Sequence, residues 1–221
     1  MHLISGIMKV KSFKGGYDDN FCYLIWDAKT LEGAIIDPSV MPDIIFEFID
    51  KNNIQLSKIL ITHTHYDHIS YLSDFLSRDS NLIIYSYINT RQSLGNNFKG
   101  VKHYDRIFLG DKILTVLYTP GHYDDSVCYF EDVGKILFTG DTVFVGRSGR
   151  TISKHSDVLQ LYDSIYNIIL KLPEDTLIYP GHDYGDKPVI TISENIKLSS
   201  FFSCKSVQEF TEVMKNFESN R

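Results

Sequence analysis

The most constraining feature of the sequence is the run at residues 62–68, which reads Thr-His-Thr-His-Tyr-Asp-His. It directly follows the apolar run at residues 58–61, whose composition predicts a buried β-strand. Because side chains alternate along a strand, the first two histidines leave it on the same side. The last two polar groups open a segment whose apolar residues repeat at helical spacing. Four potential metal ligands therefore meet at one strand-to-helix junction: His63, His65, Asp67 and His68.

The length of the chain, 221 residues, permits a core that needs no disulfide support, and we expect one domain over residues 1–221. The three cysteines are widely spaced and odd in number, so we expect them to be buried, in a reducing cytoplasmic location. Residues 1–9 lack the order of a signal peptide, and no apolar run approaches the length of about 20 residues that spans a membrane. A formal net charge of −6 argues against nucleic acid as a partner. The oligomeric state is not indicated.

Hydrophobic patterns predict an α/β chain. Strands are predicted over residues 7–13, 21–26, 33–36, 58–61, 82–85, 113–118, 127–130, 135–138 and 176–179. Helices are predicted over residues 42–51, 67–77, 157–172, 193–198 and 207–217. The polar region between residues 86 and 106 has no legible pattern.

Three of these strands end in a turn-forming pair followed by one potential ligand. The pair is Pro-Gly before His122, Thr-Gly before Asp141 and Pro-Gly before His182. Ligands at strand ends can converge at one edge of a sandwich even when they are far apart in sequence. With the first cluster they make seven candidates, which exceed the four ligands of one tetrahedral site and suffice for two ions.

Imidazole and carboxylate ligands without thiolate suit zinc, iron or manganese. We expect two divalent metal ions, with zinc preferred to iron or manganese. One ion would take His63, His65 and His122, and the other would take Asp67, His68 and His182, with Asp141 bridging. Such a pair, roughly 3.5–4 Å apart, lowers the pKa of a shared water toward 7. The catalytic carboxylates would be Asp141, which holds the ions, and Asp67, which completes the second site and orients the hydroxide.

The His-x-His-x-Asp-His run and the three isolated ligands resemble the metallo-β-lactamase superfamily over essentially the whole chain. The resemblance implies a four-layer αββα sandwich with a dinuclear site at one edge of the two sheets. Residues 19–25, 138–144 and 149–150 are similar to glyoxalase II, the hydroxyacylglutathione hydrolases. This branch implies cleavage of a small-molecule thioester, such as an S-acylglutathione, by a metal-bridging hydroxide.

The chain departs from the glyoxalase II pattern at three places. Residues 123–125 read Tyr-Asp-Asp where these families commonly have Thr-Pro-Gly, and we expect Asp124 and Asp125 to be solvated loop residues. Ser148 stands at a position often held by cysteine. The segment after His182 is too short for the full helical glutathione-binding region of long glyoxalase II enzymes. The thiol carrier therefore stays open.

Two other reactions fit the same ligands. In an Fe(II) persulfide dioxygenase, one iron is held by two histidines and a carboxylate, which His63, His122 and Asp141 can provide. In a lactone hydrolase the same hydroxide attacks a cyclic ester. A catalytically silent binding module is a different class, and the intact ligand set argues against it.

Four further residues are candidates for supporting roles. Arg147 and Arg150 follow a metal ligand closely and are expected to contact a substrate anion. Tyr184 lies two residues after His182 and would hydrogen-bond substrate or line the mouth of the site. From the family resemblance, Asp37 is expected to orient a ligand histidine from behind the cluster.

Overall fold

Two six-stranded sheets form the centre of the computed structural model, which describes residues 6–220. The first sheet contains, in spatial order, β1 (Lys9–Gly15), β2 (Asn20–Trp26), β3 (Glu32–Ile36), β4 (Gln55–Leu60), β5 (Ile83–Tyr87) and β6 (Phe98–Val101). The second contains β12 (Ile190–Thr191), β11 (Leu177–Pro180), β10 (Ile136–Gly140), β9 (Val127–Glu131), β8 (Lys112–Tyr118) and β7 (Arg106–Leu109). The α-helices are α1 (Asp43–Lys51), α2 (Leu72–Arg78), α3 (Val158–Asp163), α4 (Ile192–Leu198) and α5 (Val207–Ser219).

Three apolar clusters hold four layers together. Between the sheets, side chains of both meet, and the rings of Tyr23 and Phe138 lie 5.2 Å apart. On the outer face of the first sheet, Ile45 of α1 and Phe75 of α2 are fully buried. On the outer face of the second, Phe210 of α5 is fully buried in the third cluster. Burial of each such side chain stabilises the fold by about 1.5–3 kcal/mol. The expected αββα sandwich is confirmed.

The directions of the strands bring several carboxyl ends to one edge. In the second sheet, β10 and β11 are parallel, and β8 runs in the same direction because β9 is antiparallel to both β8 and β10. Backbone hydrogen bonds join the sheets at this edge. Val127 N donates to Thr62 O at 2.7 Å, and Phe21 N donates to Gly181 O at 2.8 Å. The ends of strands from both sheets therefore meet there.

Two predicted helices are interrupted. Residues 67–77 were expected to form one helix, but a single 3-10 turn (Tyr66–His68) precedes α2. The backbone N–H of Tyr71 donates to Pro38 O at 2.9 Å instead of pairing within a continuous helix. The helix expected over residues 157–172 is α3 followed by a π-helical turn (Ser164–Ile168) and a 3-10 turn (Ile169–Lys171).

Three short strands were missed. β6 lies in the polar region without a legible pattern, where Lys99 and Gly100 interrupt its apolar residues, and β7 begins at the end of that region, with Phe108 exposed. β12 has only two residues.

The cysteines are buried and unpaired, as expected. The expectation about a signal peptide concerns residues that lie mostly outside the described part, and within residues 6–220 no helix is long and apolar enough to cross a membrane.

Candidate metal centre

All seven candidate ligands lie at the edge where the strand ends meet. They form two groups, and within each group one potential ligand atom per residue lies within 4.8 Å of every other. The first group contains His63, His65, His122 and Asp141, and the second contains Asp67, His68 and His182. The first-sheet residues follow β4, whereas His122, Asp141 and His182 follow β8, β10 and β11. The site is thus built from both sheets.

In the first group three ring nitrogens form a tight set. His65 Nδ1 lies 3.0 Å from His63 Nε2 and 3.1 Å from His122 Nε2. A tetrahedral ion with metal–nitrogen bonds of about 2.0–2.1 Å holds its nitrogens about 3.3 Å apart. The observed spacing is therefore close to that of three ligands of one ion.

The second group has similar spacing. His68 Nε2 and His182 Nε2 lie 3.3 Å apart. Asp67 Oδ2 lies 3.4 Å from the first of these nitrogens and 3.3 Å from the second. Asn20 Nδ2 donates to the same Asp67 oxygen at 2.8 Å and fixes the carboxylate in this position.

The carboxylate of Asp141 lies between the two groups. Its Oδ1 is 3.2 Å from His68 Nε2, in the second group. Its Oδ2 is 3.5 Å from His122 Nε2, in the first group, and 3.4 Å from His182 Nε2, in the second. Gly181 makes room for it, because a Cβ added there would lie 2.4 Å from Asp141 Oδ1.

Hydrogen bonds on the outer side of the cluster determine which ring nitrogens face inward. His122 Nδ1 lies 2.9 Å from Arg150 O, and His182 Nδ1 lies 2.7 Å from Asp18 O. A carbonyl oxygen only accepts, so each Nδ1 carries the proton and donates it. In the neutral rings Nε2 therefore presents a lone pair to the centre.

Asp37 performs the same function for His68. Its Oδ2 lies 2.9 Å from His68 Nδ1 and accepts from the Thr62 hydroxyl at 2.7 Å, while its Oδ1 accepts from Thr62 N at 2.7 Å. Since the Thr62 hydroxyl donates to Asp37, its lone pairs can accept from His63 Nδ1, which lies 3.2 Å away. Asp37 thus lies behind the cluster in contact with His68, and its orienting role stays a prediction.

The arrangement of donor atoms fits divalent cations. Lone pairs of several imidazoles face one another, and Asp141 Oδ1 is buried without accepting a hydrogen bond within residues 6–220. A buried carboxylate oxygen of this kind is costly unless a cation or a donor satisfies it. The chemistry of these residues therefore fits a metal site.

Ionisation differs between the two groups. Burial and the neighbouring His122 lower the pKa of His65 to about 4, and burial holds the pKa of His63 well below its usual range. Burial also opposes the charged form of His182, but the Asp141 carboxylate outweighs it and raises the pKa of His182 to about 10. Burial therefore favours neutral imidazoles at His63 and His65, whereas the Asp141 carboxylate favours a protonated His182.

A cleft of about 620 Å³ opens onto the cluster. His65, Asp67, His122, Asp141 and His182 reach its floor, and Tyr17, Tyr66, Arg150, Ile152 and Tyr184 are among its other lining residues. Tyr17, Tyr66 and Ile152 are exposed. The cleft therefore offers an apolar rim around a polar floor.

The three residues expected to bind substrate occupy different positions. Arg150 is half-buried in the wall of the cleft. The Tyr184 ring stacks on the His182 ring with centroids 4.7 Å apart, and its hydroxyl donates to Asp18. The Arg147 guanidinium lies over the Tyr184 ring, 3.8 Å from the ring centroid. Arg147 lines a small adjoining pocket of about 50 Å³ and not the main cleft.

One expectation about this region is wrong. Asp125 is not a solvated loop residue, because its side chain is fully buried and accepts from Thr64 N at 3.1 Å and from Arg91 N at 3.0 Å. Asp124 is only partly exposed and forms an ion pair with Arg91. Ser148 is buried and donates to Met214 Sδ at 3.2 Å.

Sequence reasoning also missed two residues of the site. Asn20 is fully buried and binds Asp67, and Asp18 accepts from both His182 and Tyr184. In the sequence, residues 19–25 show only the resemblance to glyoxalase II and do not indicate these contacts. Their roles depend on the approach of the β1–β2 turn to the strand ends of the other sheet, which no local pattern reveals.

The fold and the donor cluster together define a metal-binding enzyme with an αββα architecture. A family model described as the metallo-beta-lactamase superfamily matches residues 15–182, and the chain belongs to this superfamily. It is 33% identical to a hydroxyacylglutathione hydrolase from Francisella tularensis subsp. novicida, over 91% of this chain and 90% of that protein. These relationships identify a metallo-hydrolase that resembles glyoxalase II.

Two solved structures are similar to this chain in fold. ETHE1 from Myxococcus xanthus is 31% identical, with a TM-score of 0.85, covering 95% of this chain and 91% of that one. A metallo-beta-lactamase from Staphylococcus aureus subsp. aureus COL is 27% identical, with a TM-score of 0.83, covering 95% of this chain and 67% of that one.

Proposed function

We propose that the chain hydrolyses a small-molecule thioester of the S-acylglutathione type with two divalent metal ions, zinc in preference to iron or manganese. The observation that carries the proposal is the placement of Asp141 between two groups of ligand atoms on the floor of an open cleft. The identity to a hydroxyacylglutathione hydrolase supports the choice of substrate class.

The residues divide the chemistry among them. His63, His65 and His122 would hold one ion, Asp67, His68 and His182 the other, and Asp141 would contact both. Two ions held in this way would lower the pKa of a water to about 7 and would stabilise negative charge on the substrate and on the leaving group. Asn20 keeps Asp67 oriented toward the cleft, where this carboxylate would accept a hydrogen bond from the attacking water and orient it. Hydrolysis then needs no serine or cysteine nucleophile.

Arg150 suits recognition of an anionic part of the substrate. It is half-buried in the cleft wall, and no acidic side chain within the described part of the chain forms an ion pair with it. A guanidinium binds a carboxylate with two parallel hydrogen bonds. We therefore expect Arg150→Ala to raise KM for S-lactoylglutathione by about tenfold with a smaller change in kcat, measured by steady-state kinetics. An unchanged KM would contradict this role.

The test of the function is thiol release from S-lactoylglutathione by the metal-loaded protein, with Asp141→Asn as the inactive control. We expect turnover by the wild type and a loss of at least about a thousandfold in the variant, because the change weakens the group shared by both ions. Normal turnover by a correctly folded Asp141→Asn protein would contradict the proposal. Cleavage of a lactone without cleavage of the thioester would instead identify a lactone hydrolase.

A further inference from the structure

The buried carboxylate of Asp125 has a position that the proposed reaction does not explain. Its Oδ1 accepts from Thr64 N at 3.1 Å, and its Oδ2 accepts from the Thr64 hydroxyl and from Arg91 N. The side chain is fully buried, although it follows the candidate ligand His122 by only three residues. Burial of a carboxylate is costly unless donors satisfy its oxygens, and here three donors do so.

The partner of this carboxylate is the residue between two candidate ligands. Thr64 lies between His63 and His65, and both its backbone N–H and its hydroxyl are bound by Asp125. One carboxylate therefore ties the segment that carries two ligands to the segment that carries His122. In this set His65 Nδ1 lies 3.0 Å from His63 Nε2 and 3.1 Å from His122 Nε2.

Of the three histidines of the first group, His65 is the one whose ring is not held by a hydrogen bond on its outer side within residues 6–220. Two other rings of the group are held by hydrogen bonds at Nδ1, His63 to Thr62 and His122 to Arg150 O. His65 faces the cluster with Nδ1, and within residues 6–220 its Nε2 makes no hydrogen bond. Packing against the Tyr123 ring, with centroids 4.1 Å apart, and the backbone position of Thr64 are what orient it.

We propose that Asp125 is a positioning residue for the first ion: by holding Thr64 it keeps His63 and His65 in register with His122. The inference rests on the metal centre of the proposed function. It assigns a role to the Tyr-Asp-Asp sequence at residues 123–125, which departs from the glyoxalase II pattern.

The alternative explanation is that Asp125 only anchors the loop that carries Arg91. That loop has a second anchor, because Arg91 Nε donates to both oxygens of Asp124, at 2.9 and 2.8 Å. Asp124→Asn therefore weakens the loop anchor and leaves the bonds to Thr64 intact. It is the matched control for Asp125→Asn and Asp125→Ala.

The experiment is a competition titration of zinc against a chromogenic chelator, made on metal-free protein without substrate. We expect Asp125→Ala to weaken the binding of one of the two ions by about tenfold to a hundredfold, the range seen when groups that orient ligands are removed. Thr64→Val, which loses only the hydroxyl donor, should weaken the same ion by about tenfold. Thr64→Ser, which keeps the donor, should restore the affinity, and Asp124→Asn should leave it unchanged.

Thermal unfolding of the metal-free variants separates positioning from stability. If Asp125→Ala fails to fold, the Thr64→Val and Thr64→Ser pair decides the question. Wild-type affinity for both ions in Thr64→Val and Asp125→Ala would overturn the proposal, even if the unfolding temperature fell. An equal loss in Asp124→Asn would also overturn it. Because no substrate is present, a wild type that binds two ions without cleaving thioesters would refute the proposed function and leave this inference standing.

Discussion

At the scale of single residues, the site depends on hydrogen bonds that face away from its centre. Carbonyl oxygens of Arg150 and Asp18 and the carboxylate of Asp37 each hold the proton of a candidate ligand on Nδ1. A ring held in this way has one tautomer and one orientation, which is the usual means by which proteins prepare histidine for a metal.

Asp37→Asn tests this preparation. The amide can direct an N–H toward His68 Nδ1, which would move the ring proton to Nε2 and remove the lone pair from the cluster. We expect the affinity for one ion to fall by about tenfold to a hundredfold in a chelator competition. Asp43→Asn, at an exposed position on α1, is the control. Equal affinities of the two variants would be evidence against this role for Asp37.

Gly181→Ala tests the close packing around Asp141. The added methyl group would lie 2.4 Å from Asp141 Oδ1 and 2.8 Å from His68 Cε1, so one of these groups must move. We expect loss of bound metal by elemental analysis and loss of hydrolysis together. Gly6→Ala, where a Cβ meets nothing within 4 Å, should bind metal normally. Full metal content in Gly181→Ala would show that the site tolerates the shift.

At the scale of elements, the strands that lead into the site could be predicted from their apolar runs. β8, β10 and β11 are each followed by turn residues and one ligand, and β4 is followed by the cluster of four. The break between residues 68 and 72 could not, because it arises from a bond to Pro38. The burial of Asp125 could not either, since its partner Thr64 is 61 positions away in sequence. Local patterns report periodicity and turns, but they do not report which polar side chain meets a distant donor.

The turns at the opposite ends of the strands are also joined by a carboxylate. Asp27, after β2, is buried and accepts from Lys29 N at 3.0 Å and from Asp111 N, before β8, at 2.7 Å. Burial opposes its charged form, but the bonds from the Asp111 and Lys29 backbones outweigh burial and lower the pKa of Asp27. A carboxylate with a lowered pKa stabilises the fold above its unfolded pKa of about 3.9, and this contribution is lost as pH falls through the folded value.

Asp27→Asn should therefore reduce the free energy of unfolding by about 1–3 kcal/mol at pH 7. The difference from the wild type should shrink as the pH falls from about 4 through the lowered folded pKa of Asp27, at which the folded wild-type carboxyl group takes up its proton. Urea unfolding at pH 7 and pH 3 measures both values. Asp111→Asn, which removes an exposed ion pair with Lys29, should change stability by less than about 1 kcal/mol. A pH-independent difference for Asp27→Asn would contradict this explanation.

At the scale of the whole molecule, the site lies where the two sheets are joined. Backbone bonds from Val127 to Thr62 and from Phe21 to Gly181 cross between them, and each group of ligands draws on both sheets. Ions bound there would link the sheets, so their binding energy adds to the stability of the folded chain. At a free zinc concentration 100 times Kd, one site contributes about 2.7 kcal/mol. Chelation should lower the unfolding temperature, and zinc should restore it.

The central claim is that two ions are shared through Asp141 and serve hydrolysis. The most direct measurement is the metal content of anaerobically purified protein, followed on the same sample by cleavage of S-lactoylglutathione and by oxygen uptake with glutathione persulfide. We expect about two ions per chain, because two groups of candidate ligands meet at the carboxylate of Asp141. From the proposed function we also expect thioester cleavage and no oxygen uptake. One iron per chain with rapid oxygen uptake would contradict the claim and identify a persulfide dioxygenase.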